Sequence, residues 1–390
     1  MRKILICATL MLAVYGTTIH GQETRQGIAF SGYVKMDAFF DSRQNVAARE
    51  GHFLLYPTPT SFNDSGEDVN ATPNFNILAL QTRLKGTITA PEAFGAKTAG
   101  VIEGAFFGHT NADINGFRLR HAFAKLDWQK TSLLLGQYWH PLFVTAVFPG
   151  VISFNTGAPF QPFARNPQIR LTRSLGFGTS LMLAALSQRD FASPGGSSSL
   201  RNSGIPAMHA QVQVRRAGNI FGGGVDFKSL RPSLESHEQV QGISLIGYTK
   251  LSLGKITLKL EGVHGKNLFD ALMLGGYAPR ADSSYATLSN RSIWGEIMAG
   301  ERTQIGVFAG YTKSSGCGTE ITDSECIRGQ DIDSVLRISP RVVWNSGKMR
   351  FAVETEYTVA AYGRANAKLE VENPSSVSNL RILFASYLFF

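Results

Sequence analysis

The sequence predicts an all-β protein, a transmembrane antiparallel β-barrel of about 16 strands with one loop folded inward as a constriction. Segments of about ten residues alternate apolar and polar side chains, and Gly, Asn, Asp or Ser separate them. After Val14, no stretch reaches the roughly 18 apolar residues that a membrane helix needs. The chain also ends inside an alternating segment, at Phe390. A wall with lipid on one face and water on the other accounts for these three observations.

The first residues have the composition of a secretory signal peptide. Residues 1–3 are Met-Arg-Lys, residues 4–14 are apolar, and small or polar residues follow up to Gly21. We therefore expect residues 1–21 to be a signal peptide that is cleaved near Gly21. No linker, composition break or internal repeat divides the rest, so residues 22–390 are predicted to form one barrel domain.

The strand assignments follow from the alternation of side chains. Lys35 and Asp37, for example, oppose Val34 across one strand. The predicted strands are 29–40, 74–89, 97–107, 116–128, 131–139, 167–173, 178–188, 206–216, 219–229, 240–252, 255–264, 291–299, 302–312, 332–345, 348–358 and 378–390. An even number is expected of a bacterial barrel, with about 14 or about 18 strands as alternatives. The strand 116–128 has mixed parity, which we interpret as a strand at a subunit interface.

The connections alternate between short turns and long polar loops, as in barrels with periplasmic turns and extracellular loops. The long connections are predicted at 41–73, 189–205, 230–239, 265–290, 313–331 and 359–377. The tryptophans lie near predicted strand ends, where interface aromatics are expected, and are Trp128, Trp139, Trp294 and Trp344.

The C-terminal strand places apolar side chains, the last of them Phe390, on one side and Arg381 on the other. This terminus resembles the β-signal by which outer-membrane barrels are recognised for assembly. The resemblance makes Phe390 the predicted assembly signal and the barrel-assembly machinery a predicted partner.

Charge and cysteine content restrict the functional classes. The formal net charge is +9, but the basic residues are dispersed through strands, which indicates a basic lumen and argues against nucleic-acid binding in an exported chain. Cys317 and Cys326 flank a polar loop and are predicted to form a disulfide in an oxidising envelope. A metal site would need more ligands than this loop offers, so neither a metal nor another cofactor is expected.

One long connection differs in composition from the others. Residues 140–166 read HPLFVTAVFPGVISFNTGAPFQPFARN, with five Phe, four Pro and Arg165 as the only Lys or Arg. Such aromatic residues would be a liability on the cell surface, so we expect this segment to fold into the barrel and narrow it. It lies between the fifth and sixth predicted strands.

The chain resembles the porins, and more particularly the DcaP-like outer-membrane porins. The resemblance is carried by the first strand FSGYVKMDAFFDS, the strand FRLRHAFAKL, the turn GQYWHPLF and the strand NPQIRLT after the loop. It implies a 16-stranded homotrimer in the bacterial outer membrane, in contact with lipid and lipopolysaccharide, that passes small, often anionic solutes by diffusion.

Cations of lumen parity are the candidate pore-lining residues. Guanidinium groups facing a narrowed lumen would favour anions over cations. The candidates are Arg118, Arg120, Arg165, Arg170, Arg337, Arg341, Arg381, Lys35 and Arg83. Alternatively, some of these arginines pair with Glu103, Glu354 or Glu356 and only solvate the wall.

The predicted function is a water-filled channel for passive diffusion of small hydrophilic, anionic solutes, without enzymatic activity. A structural or adhesive barrel is the alternative, although its loops would be longer or repetitive. A barrel hydrolase is the third possibility, with His52, His109 or His264 near loops, but no Ser or Asp partner follows from the spacing.

Overall fold

The computed structural model describes residues 26–390, and the predicted signal peptide at 1–21 lies outside the described residues. The strands are β1 (Gly27–Asp41), β2 (Asn45–Ala48), β3 (Phe53–Pro57), β4 (Asn74–Leu78), β5 (Arg83–Ala93), β6 (Ala96–Phe106), β7 (Phe117–Asp127), β8 (Thr131–Trp139), β9 (Arg165–Gly176), β10 (Thr179–Leu186), β11 (Ala207–Arg216), β12 (Asn219–Leu230), β13 (Val240–Leu253), β14 (Ile256–Lys266), β15 (Gly275–Pro279), β16 (Tyr285–Thr287), β17 (Ser289–Gly300), β18 (Thr303–Ser314), β19 (Ile327–Arg328), β20 (Ile332–Ser346), β21 (Met349–Ala365) and β22 (Val371–Phe389). The helical segments are α1 (Gly196–Asn202) and two 3₁₀ turns, Val69–Ala71 and Phe269–Ala271.

Seventeen of these strands form one antiparallel sheet that closes on itself where β1 pairs with β22. Strands β4 and β5 share one place in the wall, because β4 pairs with the second part of β1 and β5 with its first part. The wall therefore has 16 strand positions, as the sequence predicted. Closure pairs the backbone groups of every wall strand, which lipid requires because it offers no hydrogen-bonding partner.

The two faces of the wall follow the alternation in the sequence. On β1, Val34 is 52% exposed on the outside, whereas Lys35 and Asp37 are buried inside. The same pattern continues around the barrel, with Ile169 on β9 and Ile293 on β17 exposed on the outer face. Within residues 26–390, the structure has no helix that is long and apolar enough to cross a membrane.

The mixed parity of the predicted strand 116–128 has a local cause. In the β6–β7 ladder, Glu103 pairs with His121 but Gly104 pairs with Leu119, so Arg120 is the extra residue of a β-bulge. The bulge lets Arg120 and His121, which are sequence neighbours, both lie buried inside the barrel. A subunit interface is not needed to explain the pattern.

Three other expectations about elements need correction. The predicted strand 74–89 is interrupted at residues 79–82. The predicted connection 359–377 is mostly strand, since β21 continues to Ala365 and β22 begins at Val371. Trp294 is 1% exposed inside the barrel, where its Nε1 donates to Glu261 at 3.2 Å, so it is not an interface aromatic.

The expected disulfide is not formed, because Cys317 and Cys326 are both free thiols in the structure. The two side chains pack on different apolar clusters of the long-loop end. Cys326 borders a cluster that includes Tyr277, and Cys317 borders one that includes Leu288 and Leu369. Each thiol is thus held by its own packing neighbours, and burial raises the pKa of Cys317 to about 11.

Candidate functional site

The segment between β8 and β9 folds into the barrel, as its composition predicted. It leaves the wall after Trp139 and returns at Arg165, which pair in register, and His140 N donates to Ala164 O at 2.9 Å across its base. Of its five phenylalanines, only Phe148 is exposed; the others are at most 4% exposed. We call residues 140–164 the constriction loop.

Carboxylates on the opposite wall hold the constriction loop by its backbone. Glu354 on β21 accepts hydrogen bonds from Ile152 N at 2.7 Å and Ser153 N at 3.0 Å. Glu296 on β17 accepts one from Gly150 N at 2.6 Å. These acids therefore have backbone partners, and their charge is directed at the loop instead of the channel.

Cations of the same wall hold the carbonyl groups of the loop. Lys35 Nζ donates to Ile152 O at 3.2 Å, and Arg337 Nη1 donates to Ala158 O at 2.8 Å. Charged groups of both signs on the far wall are thus used to fix a backbone that has no sheet partners of its own.

A second element, which the sequence did not predict, also folds into the lumen. The hairpin β2–β3 folds from the connection 42–73 into the lumen, and its residues Phe53 and Leu55 are buried. Phe53 lies edge-on to Phe154 of the constriction loop, with ring centroids 5.5 Å apart, and Arg337 Nη2 donates to Leu55 O at 2.7 Å. The apolar run FLLY inside a polar connection was the available signal.

His52 belongs to this hairpin region and has a structural role. Its Nε2 lies 2.7 Å from Asp37 Oδ2, and its ring stacks between those of Phe39 and Phe154. Burial lowers the pKa of His52 below its usual value although Asp37 acts in the opposite direction. His52, one of the histidines that a hydrolase would need, is thus engaged in packing the hairpin against the wall.

Four of the predicted pore-lining cations lie on the far wall and are covered. Lys35, Arg337, Arg341 and Arg381 face inward but are at most 3% exposed. Arg341 pairs with Glu296 at 2.7 Å, and Arg381 pairs with Asp41 at 2.6 Å. The two inward elements lie over these residues, so they support the loops instead of bordering open space.

Two further candidates share one carboxylate on the near wall. Arg120 Nε lies 2.8 Å from Glu103 Oε1, and Arg83 Nε lies 3.5 Å from the same oxygen. These two arginines therefore pair with Glu103, which the sequence offered as the alternative to lining the pore. A single carboxylate nevertheless faces two guanidinium groups, which leaves this part of the wall positive.

Arg118 and Arg165 meet at a cavity of about 370 Å³ on the long-loop side of the constriction loop, which we call the outer cavity. Arg49 and Arg328 also line it, together with aromatic side chains and the carboxylates of Asp190 and Asp270. Burial, with Arg118 nearby, lowers the pKa of Arg49 to about 10, so this residue remains charged at neutral pH.

The two acids of the outer cavity already have cationic partners. Asp190 lies 3.2 Å from Arg118, and Asp270 is bonded to Lys228. Arg165 is 2% exposed, and its Nε and Nη1 have no hydrogen-bond partner among residues 26–390. Its guanidinium instead lies 5.0–5.5 Å from three aromatic ring centroids, those of Trp139, Phe163 and Phe191.

Arg170 lies on the other side of the constriction loop from the outer cavity. It borders a separate cavity of about 260 Å³ toward the short turns, which we call the inner recess. Its Nε donates to Gln168 at 2.8 Å and its Nη2 to Trp139 O at 2.5 Å. Arg118 and Arg165 therefore lie on one side of the constriction loop, and Arg170 lies on the other.

The described part of the chain contains no group of three or more His, Cys, Asp or Glu residues arranged to hold a metal ion. The Asp113 side chain, in a stretch that resembles the start of a calcium loop, instead accepts hydrogen bonds from Thr110.

A closed 16-stranded barrel with an inward loop is the architecture of outer-membrane porins, and the chain has that fold. It is similar to the outer membrane channel DcaP of Acinetobacter baumannii, with 16% identity over 95% of this chain and 100% of that one and a TM-score of 0.70. It is also similar to an anion-selective porin from Comamonas acidovorans (11% identity, 94% and 100% coverage, TM-score 0.58). A trimer form of OmpT from Vibrio cholerae shares 8% identity over 94% of this chain and 100% of that one, with a TM-score of 0.57.

No protein-family model matches the chain, and no curated protein sequence matches it. At these identities the structural likenesses establish the fold, which is that of proteins of the bacterial outer membrane.

Proposed function

We propose that this protein is an outer-membrane porin, a water-filled channel for the passive diffusion of small hydrophilic anions. The proposal rests on Arg165, a buried guanidinium that faces the outer cavity and whose Nε and Nη1 have no hydrogen-bond partner within residues 26–390. Burying a charge without a partner is costly, so an arriving anion would find donors that no group of the described residues occupies.

The balance of charge around the outer cavity supports the same direction. Four arginines face two carboxylates there, and each of these carboxylates already has a cationic partner. Most acids of the far wall are engaged with the constriction loop or with basic side chains. An anion entering this low-dielectric space gains from the excess positive charge, whereas a cation is repelled.

The surroundings of the barrel are part of the proposal. We propose a homotrimer in the outer membrane, in contact with lipid and lipopolysaccharide, whose insertion uses the barrel-assembly machinery. The broad apolar outer face and the likeness to a trimer form of OmpT support this assembly. Cross-linking of the folded protein in native membranes would test it, and only monomers under all conditions would exclude a trimer.

The reversal potential in a KCl gradient across a planar bilayer tests the selectivity. The unmodified channel should prefer chloride, and replacing Arg118, Arg165 and Arg170 with Gln should shift the reversal potential toward potassium. The shift should be larger at low salt, because the Debye length is about 10 Å at 0.1 M and about 30 Å at 0.01 M.

Arg302→Gln is the matched control, because Arg302 is exposed at the short turn between β17 and β18. It removes one positive charge without touching either cavity and should leave selectivity nearly unchanged. Cation selectivity of the unmodified channel at low salt would overturn the anionic substrate while leaving the channel itself in place.

A further inference from the structure

We propose that the inner recess is a second anion-binding site, which holds the carboxylate or phosphate group of a hydroxylated solute between Arg170 and Arg215. This inference rests on the proposed function, since it assigns a substrate class to the same channel. It also adds Arg215, which was not among the predicted pore-lining residues.

The recess lies beneath the constriction loop, on its short-turn side. Its wall is formed by β9, β10 and β11, which are neighbours in the sheet, and its roof is the first part of the loop. The polar residues of the wall that line it are Arg170, Thr172, Ser180, Gln211, Gln213 and Arg215, and the loop adds Thr145. Arg170 joins the recess to the base of the constriction loop, because its Nη2 donates to Trp139 O at 2.5 Å.

No acidic residue is present among those that line the recess, in contrast to the outer cavity. Neither Arg170 nor Arg215 forms an ion pair with any residue in the range 26–390. Other basic residues of the inner wall, by contrast, commonly pair with carboxylates. Two guanidinium groups without carboxylates attract an anion, and their planar forks match the geometry of carboxylate and phosphate oxygens.

Arg215 is held in position by a chain of side-chain amides and one phenol. In the amide orientation of Gln213 that satisfies both neighbours, its oxygen accepts from Arg215 Nε at 2.8 Å and Nη2 at 3.2 Å, and its nitrogen donates to Tyr248 Oη at 3.3 Å. Gln211 Nε2 also donates to Tyr248 Oη, at 2.6 Å. This network orients the guanidinium without neutralising it, and its Nη1 group is left for a ligand.

The remaining polar groups indicate the body of the solute. The hydroxyl groups of Thr172 and Ser180 can both donate and accept hydrogen bonds, as sugar-like hydroxyl groups do, whereas the amides of Gln211 and Gln213 are engaged in the network that holds Arg215. The opposite side is formed by loop residues such as Phe143 and Val144, which limit the size of the solute. An oxyanion on a small hydroxylated skeleton therefore fits the recess better than an apolar anion.

Current block by gluconate, recorded from single channels in planar bilayers at constant ionic strength, tests the proposal. Gluconate carries one carboxylate on a hydroxylated chain, glucose is its uncharged counterpart, and inorganic phosphate supplies the oxyanion alone. We expect gluconate to block with higher affinity than glucose. Arg215→Gln should weaken the gluconate block about tenfold, which corresponds to the loss of one charge-assisted hydrogen bond, and should leave glucose unaffected.

Arg215→Lys keeps the charge but loses the planar fork of the guanidinium. Gluconate should therefore block it with an affinity between those for the unmodified channel and for Arg215→Gln. Arg302→Gln serves as the matched control for charge, and gluconate should block it as strongly as the unmodified channel. If phosphate blocks the channel as strongly as gluconate, and if both affinities fall equally in Arg215→Gln, the oxyanion alone is recognised. That result would overturn the hydroxylated solute.

The outcomes separate this inference from the proposed function. An anion-selective channel whose gluconate block is unchanged in Arg215→Gln overturns the inner site and leaves the anion channel standing. A channel that prefers cations and is not blocked by gluconate overturns both. Because only folded channels give unitary currents, a variant that fails to fold yields no record, and Arg170→Gln then provides the second removal of charge from the same recess.

Discussion

Replacing Glu354 with glutamine should loosen the constriction loop from the wall while the barrel remains closed. Glu354 is fully buried, and its two carboxylate oxygens accept hydrogen bonds from Ile152 N and Ser153 N at 2.7 and 3.0 Å. The amide of glutamine keeps one acceptor oxygen and turns a donor toward the other backbone N–H group. One bond is then lost and the second is weakened, because the acceptor is no longer charged.

The magnitude follows from these two bonds. A hydrogen bond to a charged group contributes about 1.5–3 kcal/mol, so the pair has an upper bound of about 3–6 kcal/mol. Contacts from Lys35, Glu296 and Arg337 to the loop backbone remain in the variant. We therefore expect a cost of about 3 kcal/mol, which raises the population of detached loop about 100-fold.

Two measurements report the detached loop. Single-channel records should show more open-channel noise and excursions to larger conductance. Chymotrypsin should cleave after the loop phenylalanines such as Phe154 and Phe160, which are buried in the unmodified protein. Glu301→Gln is the matched control, because Glu301 is exposed in a short turn far from the loop.

If Glu354→Gln folds normally, as judged by heat modifiability, yet keeps the noise, conductance and chymotrypsin resistance of the unmodified protein, the carboxylate does not hold the loop.

Three other predictions concern assembly, thiols and the surface loop. Deleting Phe390, whose backbone pairs with β1 at the seam, should lower the amount of heat-modifiable protein in the membrane more than it alters the channels that form; normal levels of folded protein would contradict this. Cys317 and Cys326 should be alkylated without reductant, with Cys317 the slower at about pH 8 because burial raises its pKa to about 11, and mass mapping that finds them linked would contradict it. The Arg43 guanidinium, 2.7 Å from Asp68, holds the pKa of that carboxyl below its usual range. The pair therefore stabilises the loop fully at neutral pH, and this stabilisation is lost as the pH falls below about 4. Arg43→Gln should make the loop protease-sensitive at every pH, and equal protease resistance of both proteins at neutral pH would contradict the role of the pair.

The sequence by itself determined the closed barrel and the inward course of the constriction loop, and it favoured 16 wall positions, the number that the structure has. These features depend on local signals. Alternation with a period of two assigns each strand face, and lipid admits only a closed sheet, so local pattern and global fold point to the same answer. The aromatic composition of residues 140–166 similarly excluded the cell surface as its location.

Only the tertiary structure decided which charges are available to a solute. The sequence proposed both Arg337 and Arg165 as pore-lining residues, yet the loops cover the first and leave the second without a hydrogen-bonding partner at Nε and Nη1 among residues 26–390. The bulge at Arg120 and the free thiols were equally beyond the pattern, and the inward hairpin β2–β3 had only the apolar run FLLY as a signal. The reason is that these outcomes depend on partners distant in sequence, such as Glu354 with Ile152, 202 residues apart, and a pattern of single residues carries no information about such pairs.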